Sequence, residues 1–188
     1  MRGLRSIPEF EGHSASSAGA GALVGAAICP RVDARIWATA PDGADFTKAH
    51  AARQLDADRV SGAALILTAS KAERAAVARV DSSARARTFT LREAVALAET
   101  DVAVSDIDES APAFERFAAT LNGRRGLTPP AARAARSSFA RWFRGAAGGD
   151  PLDVVDGHVL GDRQHDVALD EVTETVDRLL TVLARFGS

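Results

Sequence analysis

The sequence predicts an α/β protein, a sandwich of helices around a short and mostly parallel sheet. Three observations carry that prediction. Ala63 to Thr68 is a short apolar run with Ile and Leu at its centre, which suits a strand buried on both faces. Arg87 to Leu91 contains Thr-Phe-Thr, a β-favouring triplet. Between them, Ala72, Ala75, Ala76 and Arg79 recur at helical spacing within Lys71 to Val80, and Leu91 to Ala98 is helical again. Strand and helix alternating in this way is the pattern of a parallel sheet.

The remaining elements follow in chain order. Leu4 to Gly12 reads as the frayed end of a helix and a turn, punctuated by Pro8 and Gly12. His13 to Ser17 is a candidate short strand, ended by Gly19-Ala20-Gly21. Val32 to Ala38 reads as a helix behind Pro30, a residue suited to a helix start. Pro41-Asp42-Gly43 is a turn signal, and Ala57 to Ser61 a single helical turn. Residues 101–110 are acidic and read as loop, and Ala113 to Leu121 as a helix broken at Gly123 to Gly126. Pro129-Pro130 opens a helix to about Arg144, and Gly145 to Gly149 is a flexible linker. The last helix, from Gly161 or Arg163 to Phe186, is the best patterned. Its expected apolar face is Leu169, Val172, Val176, Leu179, Leu180, Leu183 and Phe186. Its early acids and its late Arg178 and Arg185 suit the helix dipole.

At 188 residues the chain is long enough for a real core and reads as one domain, residues 1–188. A net charge of −2 gives no global pull toward nucleic acid or a membrane surface. Cys29 is the only cysteine, so no internal disulfide can form and a reducing compartment is the default. No apolar run is long enough for a bilayer span, and the first eight residues carry no signal-peptide core, so the cytoplasm is the expected location. Lys48 and Lys71 are the only lysines among many arginines, and Tyr is absent, as a GC-rich coding sequence would give.

Four blocks stand in order: Ser17-Ala18-Gly19 with Gly25 and Pro30; His50-Ala-Ala-Arg53-Gln54-Leu55; Ala64-Leu-Ile-Leu-Thr68 followed by Glu73-Arg74-Ala-Ala-Val77; and Arg87-Thr-Phe-Thr-Leu91. Asp153-Val154-Val155-Asp156-Gly157-His158 stands near the C-terminus. Together these resemble the low-molecular-weight protein tyrosine phosphatases of bacteria, best over residues 12–97 and less closely over 151–188, with 101–150 a divergent insert. The resemblance implies a three-layer α/β sandwich of the phosphotyrosine protein phosphatase I type. It also implies hydrolysis of phosphate monoesters, a phosphoprotein or phosphate-monoester substrate, and no cofactor. In that family a cysteine thiolate attacks phosphorus. Loop N–H groups at a helix N-terminus hold the phosphate oxygens, an arginine grips two of them, and a distant aspartate protonates the leaving group.

The resemblance points to Asp156 as the acid and to His158 as a pocket residue. Gly157 stands where the family usually has proline, and His158 and Val159 where aromatic residues usually flank the substrate ring. Asp153 is the alternative carboxylate in this loop, and a plain turn aspartate is the structural alternative for Asp156. The family's first strand and its Cys-x5-Arg loop should precede Ser17, where only sixteen residues stand, none of them cysteine. Cys29-Pro30-Arg31-Val32-Asp33-Ala34-Arg35 satisfies the spacing literally. However, Pro30 removes an N–H, no glycine allows the tight turn, Asp33 adds negative charge, and Ile36 replaces the hydroxyl residue. This run is therefore expected to be a helix start.

His50 and Arg53 are expected to tie a loop to the sheet. His13, His50, His158 and His165 show no metal-ligand spacing. From Phe117 to Gly149 there is no acid, while Arg124, Arg125, Arg133, Arg136, Arg141 and Arg144 interleave with Phe139, Trp142 and Phe143. That stretch reads either as a core-packed helix with a solvated arginine face or as a surface for an acidic or phosphorylated partner.

A sheet without its central first strand would leave Ala63 to Thr68 short of a neighbour. Each buried unpaired group costs about 1–3 kcal/mol, against a whole-domain stability of roughly 5–15 kcal/mol. The expectation is an upstream start, a decaying remnant, or a gap filled by another segment or subunit, and little or no phosphatase activity for this chain. The rival expectation is a non-catalytic interaction protein.

Overall fold

A computed structural model describes residues 7–39, 44–127, 150–154 and 161–187. The expected turn at Pro41 to Gly43, the Pro129 to Arg144 helix and the Gly145 to Gly149 linker lie outside them. The protein is mixed α/β, mostly helical, with a short two-stranded parallel sheet.

A 3₁₀ turn at Pro8–Phe10 seats Ile7 and Phe10 in the core. The chain then runs without regular structure to α1 (Pro30–Thr39), whose leading proline is preset for a first helical turn. Two short helices follow, α2 (Ala44–Ala49) and α3 (Ala57–Ser61); Asp56 caps α3 by accepting from Arg59 N. β1 (Ile66–Thr68), α4 (Lys71–Val80), a 3₁₀ segment (Ser82–Arg87), β2 (Thr88–Thr90) and α5 (Leu91–Ala98) form the predicted strand–helix–strand–helix unit. Both helices of this unit open with a capping box, Ser70 with Glu73 and Thr90 with Glu93. α6 (Ala113–Leu127) and α7 (Asp162–Phe186) complete the body.

The strands pair in parallel register, Ile66 with Thr88, Leu67 with Phe89 and Thr68 with Thr90. Alternation sends Phe89 and Ile66 to opposite faces. Phe89 joins the main core, where Val95 and Leu97 of α5, Phe117 and Leu121 of α6, and Leu179 and Leu183 of α7 meet Phe10. Ile66 packs on a smaller cluster of Val60, Val77 and Ala84. At the far end of the chain Gly187 abuts Glu9, so closely that a Cβ on it would sit 2.9 Å from Glu9 Cβ.

Several expectations change. The first strand forecast for His13 to Ser17 is irregular backbone, and pairing falls instead on a single parallel bridge between Gly19 and Gln54. β1 is shorter than forecast and not buried on both faces. Leu67 is 37% exposed, because among the described residues β1 has only β2 beside it. A strand that opens to solvent lets water pair its outer groups, which softens the penalty foreseen for a buried, unpaired edge. The helix forecast to break at Gly123 runs through it to Leu127. The glycine there serves close packing, since a Cβ would stand 2.4 Å from Val104 Cγ1. Finally, the inward face of α7 matches the forecast only in its second half. In the first half His165, Ala168, Glu171 and Thr175 are buried, and Val176 is 37% exposed. No helix among the described residues is long and apolar enough to cross a membrane.

Candidate functional site

In an open parallel sheet the carboxyl ends of the strands are where ligands bind. Here residues 150–154 lie across those ends as a strap. Val154 N donates to Ala69 O just past β1 at 2.8 Å, and Thr90 Oγ1 at the end of β2 donates to Leu152 O at 2.7 Å. Asp153 Oδ1 accepts from Lys71 N at 2.8 Å, adding a second carboxylate to the α4 N-terminus that Glu73 already lines. Lys71 Nζ pairs with Asp150. Burial opposes the charge on Asp150, but the hydrogen bonds from Lys71 and Leu152 N and the charges of Lys71 and Arg74 outweigh it, holding its carboxyl below the usual range.

Arg92 anchors the strap from the α5 side. One guanidinium nitrogen donates to Asp153 O at 2.9 Å and lies 3.0 Å from Glu171 Oε1 on α7. The pair is dry, with side chains 9% and 5% exposed. Glu171 Oε1 is in ion-pair range but accepts no directed hydrogen bond. Burial pushes the Glu171 carboxyl above its ordinary value, Arg92 pulls it down, and Glu174 adds to the rise. This pair accounts for Glu171 on the inward face of α7, since an apolar residue at 171 would leave Arg92 without this carboxylate.

A second buried carboxylate lies on the same unit. Glu93 receives Arg74 at 2.6 Å on one oxygen and Arg125 at 3.0 Å on the other. Arg125 also lies over the Phe89 ring, 4.2 Å from its centroid, and donates to Thr88 O. Desolvation lowers the Arg125 pKa, which Glu93 partly offsets. Arg124 wraps the end of α5 through the carbonyls of Leu97, Ala98 and Val102. These two arginines of the basic stretch are thus committed inward, while Arg133, Arg136, Arg141 and Arg144 lie outside the described residues.

The residues assigned from sequence divide unevenly. Asp156 and His158 lie outside the described residues, two and four positions beyond the end of the strap. Asp153, the alternative acid, is spent on Lys71 N. Cys29 sits half-buried at the N-cap of α1, its carbonyl accepting from Asp33 N, and Arg35 is turned away to Asp170 on α7. The literal Cys-x5-Arg run is therefore helix and holds no phosphate cradle. The His50 to Leu55 block ties down a loop, but the loop is Gly19 to Ala26 and not a connection to the sheet, and it does so through backbone groups and the Gln54 side chain rather than through Arg53's exposed side chain. Gly19 N donates to Arg53 O, Leu55 N to Gly19 O, and Gln54 brackets Ala20 and Ala22. His50 packs its ring against Phe46, and His13 lies edge-on to Phe114. Among the described residues no group of three His, Cys, Asp or Glu side chains could hold a metal ion.

Sequence reasoning missed Arg92, Glu93, Glu171 and Thr90. The pattern Thr90-x-x-Glu93 could have flagged two of them as a capping box. Arg92 and Glu171, seventy-nine positions apart, carry no local signal. Comparison with known proteins finds no matching family model, no matching curated protein and no matching solved structure.

Proposed function

We propose that this chain is a relative of the low-molecular-weight protein tyrosine phosphatases that does not itself turn over phosphate monoesters. The observation that carries this reading is the strap. It brings the segment leading to Asp156 to the carboxyl ends of two parallel strands, where an acid for a bound phosphate ester would have to work. Clusters on both faces of the sheet and the order β1–α4–β2–α5 agree with the three-layer architecture the resemblance implies. Asp153 being taken by Lys71 leaves Asp156 as the carboxylate for that role. The chemistry stops there, because the only cysteine begins a helix and its matching arginine serves an ion pair. Cys29 therefore lacks the phosphate cradle that a phosphocysteine intermediate needs.

The test is hydrolysis of a generic aryl phosphate by the purified 188-residue chain. We expect no release above buffer, with or without Asp156→Asn. Turnover that disappears in Cys29→Ser would overturn the inactive reading. An experimental structure placing Asp156 away from the ends of β1 and β2 would remove the phosphatase-like reading itself.

A further inference from the structure

We propose that α1 and α7 form a latch sensitive to ionic strength, and that its release frees the described segments of residues 14–39 and 44–54 together while the core stays folded. The contact is a charge ladder between two helices running in the same direction. Arg31 reaches Asp162 and Asp166, and Arg35, one turn on, reaches Asp170. The spacing i, i+4 on one helix meets i, i+4, i+8 on the other, so each turn of α1 finds a carboxylate. Every member is partly or well exposed, from 31% for Arg35 to 85% for Asp162. Exposed pairs of this kind are worth little each and weaken as the screening length shrinks, from about 30 Å at 0.01 M salt to 3 Å at 1 M.

Few buried contacts hold this arm. Among its described residues only Thr47 is buried, and no described residue of α1 is. The arm's backbone bonds run inside it: Gly19 with Arg53 and Leu55, Gly25 with Ala52, and Ala52 with Ala26. Its roots are firm at both ends, at Phe10 in the main core and at Leu55 on the smaller cluster. Loss of the ladder therefore lets a self-tied loop swing from two fixed points. It also uncovers the row Asp162, Asp166 and Asp170, changing that flank of α7 from a neutralised face to an anionic one.

Amide hydrogen exchange of the full chain tests this. Raising NaCl from about 20 mM to about 500 mM should speed exchange across α1 about fivefold or more. Amides of β2 and α5 should be unchanged. The double variant Arg31→Gln/Arg35→Gln should show the high-salt rate at both concentrations, and Arg35→Lys, which keeps the charge, should retain the salt response. Equal α1 exchange at both salts in the unaltered chain, or core amides accelerating in step with α1, would overturn the latch.

Discussion

Residues 14–54 and the body made by residues 57–127 and α7 are held by different forces. In the body, apolar side chains close around Phe89, Leu97, Phe117, Leu121 and Leu183, and the carboxylates that enter are buried and paired, Glu171 with Arg92 in dry surroundings and Glu93 with the part-exposed Arg125. In the arm, large apolar residues face outward, Leu23 at 81% and Val24 at 73% exposure, with Trp37 and Phe46 also exposed. The arm keeps its shape by backbone bonds and surface ion pairs. The arm is richer in alanine than the body and poorer in Leu, Val, Ile and Phe, so it has fewer large side chains from which to build a core.

That contrast can be broken or sharpened by substitution, beginning with the largest effect. Phe89→Ala should cost about 3–5 kcal/mol in denaturant unfolding, since it opens a cavity and removes the ring under Arg125. A cost under about 1 kcal/mol would mean that the body is no better packed than the arm. Glu93→Gln should cost roughly 2–3 kcal/mol, below the full penalty for a broken buried pair because Arg74 and Arg125 can still reach water.

Glu171 gives a pH signature. The folded state holds its proton more tightly than the unfolded chain does, so its contribution is fully present below the ordinary carboxylate range and is lost as pH rises through the raised value. The difference in unfolding free energy between the unaltered chain and Glu171→Gln, measured from pH 4 to pH 7, should therefore shift against the unaltered chain as pH rises. A flat difference would mean that Arg92 cancels the burial. Asp153→Ala should cost about 1 kcal/mol, typical of a lost helix-terminal acceptor, and should speed exchange at Lys71 N. Trp37→Ala in the arm should stay within about 0.5 kcal/mol.

The strand–helix–strand–helix unit was legible because its signals are local: an apolar run, a Thr-Phe-Thr triplet and a helical repeat between them. The helix starts at Pro30 and Ala57 were legible for the same reason. The inward face of α7 was legible only from Leu179 onward. Before that, the helix turns Glu171 toward Arg92, a partner no local pattern announces, and Val172 and Val176 lose the buried face. Gly123 misled as a break because a glycine used for close approach looks the same in sequence as one used for a turn. Of the candidate site, the resemblance pointed to residues 153–158, of which Asp156 and His158 lie outside the described residues, and the committed role of Asp153 came only from geometry. The anchors on the strand ends, Thr90 and Arg92, were not found at all.

The meeting of Gly187 with Glu9 has a consequence for how this protein could be rewired. Arg116 reaches Glu9 beside that junction, and Phe186 stacks edge-on to Phe117, so the polypeptide enters and leaves the core at one pole. A circular permutant that bridges Ile7 to Gly187 with a short linker and reopens in the irregular, acidic 101–110 stretch would keep every described helix and both strands intact. By the same geometry, a module inserted beside Glu9 and one inserted beside Gly187 would emerge on the same side of the body.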